Sequence, residues 1–215
     1  RDLEQRLIDG LSVLALALQS GQRQLALEDG LSTTQAAILV LLESRRALHV
    51  RDIAIELGVS QPTVTDSVST LLAKKLISKT PDARDGRAIV LKLTSSGTKL
   101  VRKRPIQTEG IQKALSSLGP LTQSELLVLL TATVRALQTS GAIAPQRQCI
   151  NCKHFRPYVH RQTDKPHHCA FVDAAFGNAS LRFQCGDHEA ALPADQSANW
   201  SAFANRAENL RATLK

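Results

Sequence analysis

Hydrophobic positions recur at helical spacing along most of the chain. Residues 2–20 carry a leucine stripe at Leu3, Leu7, Leu11, Leu14 and Leu18. The capping-box pattern Ser32-Thr-Thr-Gln35 precedes the apolar run AAILVLLESR, which predicts a core helix. A second such pattern, Thr122-Gln-Ser-Glu125, opens a leucine-rich segment that ends near Gly141. These patterns predict a mainly α-helical protein.

Residues Val50–Leu93 contain a different arrangement, which begins with two short helices. Gly58 should end the first, and Ser60 should cap the second, whose first turn tolerates Pro62. The apolar positions of the second helix form one buried stripe: Val64, Val68, Leu71 and Leu72. Short polar residues remain outside, as suits a helix in the DNA major groove: Gln61, Thr63, Thr65, Asp66, Ser69 and Thr70.

A β-hairpin follows this pair of helices. Ile77 to Thr80 and Ile89 to Leu93 have strand composition, and the second run predicts one apolar face made of Ile89, Leu91 and Leu93. The turn PDARDGR between them carries Arg84 and Arg87, with Asp85 expected to orient a neighbouring guanidinium. We interpret the hairpin as a wing from which at least one of the two arginines reaches the minor groove.

Residues 30–104 resemble the winged helix–turn–helix of the MarR family of bacterial regulators. The resemblance rests on SQPTVTDSVSTLLAKKLI, the wing tip DARDGRA and the following LTSSG. It implies a homodimer, held by the N-terminal helix and the closing helices, that binds a pseudo-palindromic operator in double-stranded DNA. The alternative is that the N-terminal helix only covers its own domain. The predicted DNA-binding residues are Ser60, Gln61, Thr63, Thr65, Asp66, Ser69, Lys74, Lys75, Arg84 and Arg87.

The positive charge of the chain is concentrated after the second helix. Between Lys74 and Arg104, ten Lys or Arg residues stand against only Asp82 and Asp85, so this window accounts for the net charge of +8. A solvated charged face is the simpler explanation, but the position next to a recognition helix favours contact with a phosphate backbone.

The termini and hydropathy bear on location. No apolar run reaches membrane-spanning length, and the first residues lack a signal-peptide pattern, so we expect a cytoplasmic protein without a membrane partner. The chain starts at Arg1 and contains no Met, so we expect the natural N-terminus to lie upstream.

Composition changes near residue 141. All seven aromatic residues lie between Phe155 and Phe203, and all four cysteines lie between Cys149 and Cys185. A last helical seam is predicted at Trp200, Phe203, Ala207, Leu210 and Leu214, with Asp195 or Ser197 as its cap. The predicted organisation is an N-terminal dimerisation helix (1–30), a winged domain (31–104), dimerisation helices (105–140), a small Cys-rich module (141–194) and a C-terminal dimerisation helix (195–215).

The cysteines follow the spacing C-x2-C-x16-C-x15-C. In a reducing cytosol, four clustered cysteines favour a metal site over disulfides. The spacing resembles that of single-cluster high-potential iron–sulfur proteins, through CINCKHF, CAF and a distant Cys. This implies a four-iron four-sulfur (4Fe-4S) cluster bound by Cys149, Cys152, Cys169 and Cys185. An apolar shell is expected from Phe155, Tyr158, Phe171, Phe176 and Phe183.

Two alternatives to the cluster stay open. One is a structural zinc ion, for which a nearby histidine could replace a cysteine: His154, His167, His168 or His188. The other is a set of free or disulfide-forming thiols. Asn151 is expected to hydrogen-bond locally rather than to bind a substrate.

The leading hypothesis is a dimeric transcriptional regulator, a repressor, whose operator binding is controlled by the cluster as a redox or oxygen sensor. The alternative is a MarR-type regulator with a structural zinc module that responds to a small-molecule ligand in its aliphatic core. A thiol–disulfide oxidoreductase using Cys149 and Cys152 is disfavoured, because the pair lacks a βαβ setting. We therefore expect no enzymatic activity.

Overall fold

The chain divides into two units, Arg1–Ser117 and Leu118–Lys215. The computed structural model describes residues 2–82, 85–103 and 109–212. Unit 1 contains α1 (Leu3–Glu28), α2 (Thr33–Arg45), α3 (Val50–Leu57), α4 (Gln61–Ala73), β1 (Ile77–Pro81), β2 (Ile89–Leu93), α5 (Ser95–Lys103) and α6 (Glu109–Ser116). Unit 2 contains α7 (Pro120–Thr139), β3 (Phe155–Arg156), β4 (His167–Cys169), β5 (Ala174–Phe176) and α8 (Pro193–Ala212), with 3-10 turns at Cys149–Asn151 and Asn178–Ser180. The predicted fold class, mainly α with a winged helix–turn–helix, is confirmed.

Local capping chemistry sets the helix–turn–helix. Ser32 and Gln35 form a complete capping box at the start of α2, as predicted. Gly58 ends α3 with a left-handed φ of 65°, and the Ser60 hydroxyl accepts the Thr63 N–H at the start of α4. These short-range contacts fix the angle at which α4 leaves α3.

The core of unit 1 is aliphatic. Its fully buried side chains are contributed by α2, α3, α4 and the hairpin: Ile38, Leu39, Leu42, Ile53, Val64, Leu71 and Leu91. The predicted stripe on α4 is confirmed for Val64, Val68 and Leu71, whereas Leu72 is only half-buried, at the edge of the cluster.

The antiparallel hairpin runs from the pair Ile77–Leu93 to the pair Pro81–Ile89. The predicted alternation in β2 is wrong, because Val90 and Leu91 are buried while Ile89 is 48% exposed. Leu48 forms backbone hydrogen bonds with Leu91 on the edge of β2 opposite β1, so the middle of β2 is enclosed. Ile89 lies beyond this enclosed part, at the base of the wing.

Gly97 makes the close packing after the wing possible. A Cβ at this position would overlap the Leu76 carbonyl oxygen. The Thr94 hydroxyl donates to the Lys75 carbonyl and accepts the Gly97 N–H at 3.1 Å. The LTSSG segment therefore fastens the start of α5 to the turn between α4 and β1.

Two predicted helix starts are wrong. The helix α7 begins at Pro120 after Gly119, so the Thr122 pattern lies inside it. Likewise, α8 begins at Pro193, ahead of Asp195 and Ser197. In both cases proline occupies the first helical position, where the missing N–H costs nothing.

The leucine stripe of α1 is exposed in the chain by itself, at Leu3, Leu7, Leu11, Leu14 and Leu18. Unit 2 also exposes apolar side chains on α7, at Leu121, Leu129, Leu130 and Leu137. Within the described residues, no helix is both long and apolar enough to span a membrane.

Unit 2 builds its core around a small sheet. The strand order is β3-β4-β5, antiparallel throughout, with Phe155 opposite Cys169. Phe155 and Phe203 are almost fully buried and lie 6.3 Å apart between ring centroids, which packs α8 against the sheet. Of the predicted terminal seam, Trp200 and Phe203 pack in this core, and the side chains of Ala207, Leu210 and Leu214 lie outside the described part.

Candidate DNA interface and four-cysteine site

The outer face of α4 is polar and open to solvent, as predicted. The exposed side chains include Ser60, Gln61, Thr63, Thr65, Asp66 and Ser69. Several hydroxyls donate to the helix backbone, with Thr65 bonded to the Gln61 carbonyl and Ser69 to the Thr65 carbonyl, both at 2.9 Å. The oxygen lone pairs of these hydroxyls remain available to accept from base amino groups.

The two lysines after α4 differ in their surroundings. The Lys74 ammonium donates to the Gly30 carbonyl, so in DNA-free protein it ties α4 to the segment before α2. Lys75 is exposed and has a left-handed φ of 57°. Both DNA contacts stay predictions, and for Lys74 the contact requires the bond to Gly30 to be released or shared.

The wing presents Arg87 to solvent. The carboxylate of Asp85 accepts the backbone N–H of Arg87 at 3.0 Å, so it fixes the turn. Asp82 closes the wing from the other end, where its N–H donates to the Ala88 carbonyl at 2.8 Å. Arg84, the other predicted arginine, lies outside the described residues.

All four cysteines line one cavity of about 270 Å3 in unit 2. The apolar part of its wall is Phe155, Phe171, Val172, Ala174 and Phe176, and the polar part is His154, Ser180, Arg182 and Asp187. Three of the five predicted shell aromatics therefore line the site. Tyr158 instead packs against His167 and Phe203, and Phe183 is not part of the wall.

Backbone hydrogen bonds bring the cysteine segments together. The tight pair sits on a 3-10 turn, in which the Cys152 N–H donates to the Cys149 carbonyl at 2.9 Å. The chain before it pairs with the segment 182–185, where the N–H of Cys185 donates to the Arg147 carbonyl at 3.2 Å. Cys169 ends β4. Three separate segments thus supply the four sulfur atoms.

Arg182 was missed by sequence reasoning. Its backbone N–H donates to the Cys149 sulfur at 3.3 Å, an interaction that stabilises negative charge on sulfur. The pKa of the Cys149 thiol is nevertheless raised to about 11, chiefly by burial and also by the other three cysteines, against the lowering by the Arg182 N–H. As a free thiol, Cys149 is therefore protonated near neutral pH and is a weak nucleophile.

The histidines of the module have protein partners. His167 is buried, with Nε2 2.7 Å from the Asn178 side-chain oxygen and Nδ1 accepting the Tyr158 N–H. Burial lowers the pKa of His167, against the opposing effect of the Asn178 bond. His168 lies between His160 and Asp173. His154 lines the cavity, and its Nε2 is 3.1 Å from a Glu189 oxygen.

The potential ligands do not form a site for a single metal ion in the described residues. Across the described parts of the chain, no three His, Cys, Asp or Glu side chains group closely enough to hold one metal ion. The cysteines therefore share a cavity without the tight clustering that one ion needs.

Asn151 hydrogen-bonds locally, as predicted. Its oxygen accepts from Arg135 Nη1 at 3.1 Å, and its Nδ2 donates to the Gln138 side-chain oxygen at 2.8 Å. Arg135 also stacks on Trp200 of α8, 5.0 Å from the ring centroid. The residue between the paired cysteines thus connects their turn to α7, and through Arg135 to α8.

Comparison with known proteins bears on the winged unit. Residues 29–88 match the model of the MarR family. A mutant of MepR from a multidrug resistant S. aureus clinical isolate aligns with a TM-score of 0.51 and 26% identity, over 64% of this chain and 99% of that chain. The MarR match lies on the segment that is folded as a winged helix–turn–helix.

Two further solved structures are similar at lower scores. The regulator BldR from Sulfolobus solfataricus aligns with a TM-score of 0.49 and 20% identity, over 63% of this chain and 95% of its own. A MepR mutant bound to an oligodeoxyribonucleotide aligns with a TM-score of 0.41 and 26% identity, over 64% of this chain and all of its own. No curated protein matches the chain significantly.

Proposed function

We propose that this chain is a homodimeric transcriptional repressor whose operator affinity is controlled by a 4Fe-4S cluster bound to Cys149, Cys152, Cys169 and Cys185. The observation that carries the proposal is that these four cysteines, drawn from three segments, line one cavity. The winged unit supplies the DNA-binding part, and the cysteine module supplies the sensing part.

The cavity favours a cluster over a single zinc ion. Zinc–thiolate bonds are about 2.3 Å long, so four ligands of one ion must lie nearly in contact with one another. No such group is found among the described His, Cys, Asp and Glu residues, whereas a cubane carries its four ligands at separate corners. The cavity of about 270 Å3, with three phenylalanines in its wall, suits such a bulky group.

Groups of the protein stabilise negative charge on the sulfur atoms and limit their contact with water. The Arg182 N–H points at the Cys149 sulfur, and Phe155, Phe171 and Phe176 limit access of water. When bound, a 4Fe-4S cluster supplies a one-electron redox centre that oxidants can alter or remove. Binding also requires the thiols to lose their protons, because thiolates are the ligands.

Hydrogen bonds connect the cysteine cavity to the helices α7 and α8. Asn151 lies between two proposed ligands and holds Arg135 and Gln138 of α7. The Ala191 N–H, close to the start of α8, donates to the Asn151 carbonyl at 2.9 Å. Cys149 and Cys152 would hold the cluster, and without it their turn would be less restrained, so that Asn151 would hold its partners on α7 and near α8 less firmly. A change in these helices alters the spacing of the two DNA-reading units in the dimer.

The dimer itself is proposed from exposed apolar surface. The leucine stripe of α1 and the exposed leucines of α7 give large apolar faces that a second copy of the chain would cover. Each copy then presents one α4 and one wing, which suits a pseudo-palindromic operator in double-stranded DNA.

Anaerobic purification tests the sensing part most simply. We expect a brown protein with a broad thiolate-to-iron absorption band and about four iron and four sulfide ions per chain. Ser180→Ala, in the cavity wall but not a proposed ligand, should keep the band, whereas Cys169→Ser should lose it. A colourless protein that contains zinc would overturn the cluster. DNA binding is tested separately, by selecting duplexes from a random-sequence pool with the purified protein.

A further inference from the structure

His49 lies at the base of the wing with both ring nitrogens engaged. Nδ1 is 2.9 Å from the Ile89 carbonyl oxygen, and Nε2 is 3.0 Å from an Asp82 carboxylate oxygen. Both partners are acceptors only. A neutral imidazole has a single N–H, so only the doubly protonated imidazolium donates to both partners at once.

The position of this bridge matters for the shape of the wing. His49 immediately precedes α3, the first helix of the helix–turn–helix. Asp82 follows β1 and Ile89 opens β2, so the two partners flank the wing loop on either side. One imidazole ring therefore ties both ends of the loop to the start of α3.

We propose that His49 is a proton-dependent positioning residue, which as an imidazolium holds the base of the wing in the orientation that binds DNA. This inference rests on the proposed DNA-binding function. On deprotonation, Nδ1 can keep its proton for Ile89, but the Nε2 lone pair then faces the Asp82 carboxylate. The alternative tautomer breaks the bond to Ile89 instead. Either way, one end of the loop is released.

The electrostatic surroundings favour the charged form. The pKa of His49 is raised above its ordinary value, chiefly by the hydrogen bond to the Ile89 carbonyl, and burial opposes this only in part. The facing charged groups are Asp52 on α3 and Asp82 after β1, and both raise the pKa further. The side chain is 37% exposed, so it exchanges protons with solvent.

The sign of the pH effect follows from this direction. Because the pKa in the folded protein lies above the value of about 6.5 in an unfolded chain, the bridge is complete below that value. It is lost as the pH rises through the folded-state pKa. DNA affinity should therefore fall on the alkaline side, by at least about fivefold if the coupling is of ordinary size.

Two measurements on the intact protein test the proposal. A 15N NMR titration of DNA-free protein reports the protonation of His49 directly, and we expect both ring nitrogens to keep their protons to a higher pH than in an unfolded chain. Fluorescence anisotropy then gives the affinity for the selected duplex across the same pH range. His49→Gln should remove the alkaline loss of affinity that distinguishes the wild type, while its thermal unfolding shows that it is folded.

Matched carboxylate variants separate the bridge from general charge effects. Asp82→Asn keeps an acceptor but loses the charge, so the midpoint of the affinity profile should move to lower pH. Asp85→Asn removes the same charge from the same loop without touching His49, and its midpoint should not move.

Three results would count against the role of His49, and a fourth would count against DNA binding as a whole. An unraised pKa for His49, or equal midpoints for the two carboxylate variants, would overturn the proposal. So would an alkaline loss of affinity that persists in His49→Gln. If wild-type protein selects no duplex and binds none at any pH, the proposed DNA-binding function fails and the role of His49 in it falls as well. In that case the NMR titration alone still decides whether the imidazolium bridge exists.

Discussion

The side-chain oxygen of Asn151 accepts a hydrogen bond from Arg135 Nη1 at 3.1 Å, which joins the turn of the paired cysteines to α7. Asn151 is only 8% exposed, so water cannot easily replace this partner. The same amide donates to Gln138, and Arg135 stacks on Trp200. The Asn151 side chain therefore connects the cysteine turn to α7 directly and to α8 through Arg135.

Replacing Asn151 tests this connection. Asn151→Leu keeps the branched shape of the side chain but leaves Arg135 and Gln138 without their partner, so we expect the free energy of unfolding to fall by about 1–3 kcal/mol. The cluster should still assemble, because all four cysteines remain, but the difference in DNA affinity between cluster-bound and cluster-free protein should shrink. Chemical denaturation and fluorescence anisotropy measure the two effects.

A matched control is available in the same unit. Gln184→Ala removes an exposed hydrogen bond to Gln146 and should change stability by less than about 0.5 kcal/mol. If Asn151→Leu retains the full cluster-dependent change in DNA affinity, the proposed route through α7 is wrong.

The turn after the wing should not tolerate a side chain at Gly97. Because a Cβ there would overlap the Leu76 carbonyl, Gly97→Ala should lower the free energy of unfolding by about 1–3 kcal/mol. Gly10→Ala in α1 meets no neighbouring atom and should be neutral or about 0.5–1 kcal/mol more stable. Similar denaturation midpoints for both variants would show that the backbone approach is not close.

The cysteine module makes a parallel prediction at Gly177. A Cβ at this residue would overlap the Asp164 carbonyl, so Gly177→Ala should destabilise unit 2 by about 1–3 kcal/mol and reduce iron content. Gly186→Ala, next to Cys185, has open space around its Cβ and serves as the control. Iron analysis with thermal unfolding distinguishes them, and full iron occupancy at wild-type stability in Gly177→Ala would refute this packing.

The wing arginine makes a prediction about DNA. Arg87→Ala should weaken binding to the selected duplex by about 1–3 kcal/mol if the side chain contacts a base edge. Arg161→Ala removes an equal charge from an exposed site in unit 2 and should have little effect. Gel-shift titrations at fixed salt compare the two, and equal affinities would remove Arg87 from the interface.

The sequence predicts the fold best where a local contact decides it. Ser32 with Gln35, Gly58 and Ser60 act within a few residues of themselves, so their roles are legible from the chain. The Thr122 pattern fails for a physical reason, because a cap works only if the helix has not already begun, and Pro120 begins it earlier. The predicted alternation in β2 fails because Leu48, far along the chain, pairs with Leu91 and encloses the middle of the strand. No periodicity within β2 reveals this contact.

The sequence likewise predicts some features of the candidate site and does not reveal others. The spacing of the cysteines predicts a shared site, and the structure places all four on one cavity. The Arg182 N–H reaches Cys149 across 33 residues, and His49 reaches Ile89 across 40. Both contacts use backbone atoms as partners, which every residue carries, so no side-chain pattern marks them. His49 before α3 could have been noticed only as a lone histidine in the winged unit.

The amino-terminal unit should not depend on the cysteines for its fold, since every cysteine lies at or beyond residue 149. Replacing any one of Cys149, Cys152, Cys169 or Cys185 by Ser should therefore give a helical dimer without a cluster. The four variants should change DNA affinity similarly, because each loses the same group. Circular dichroism and sedimentation check that the fold and the dimer persist, and widely different affinities among the four would argue against a shared cluster.

The most direct test compares the DNA affinity of one anaerobic preparation before and after removal of its cluster. Anisotropy on the same selected duplex, at one salt concentration and pH, gives both dissociation constants, with Cys169→Ser as the permanently cluster-free reference. We predict that removal changes the dissociation constant by at least about fivefold and that the treated protein then matches Cys169→Ser. Equal affinities in all three samples, with the brown colour lost only where expected, would contradict control of DNA binding by the cluster.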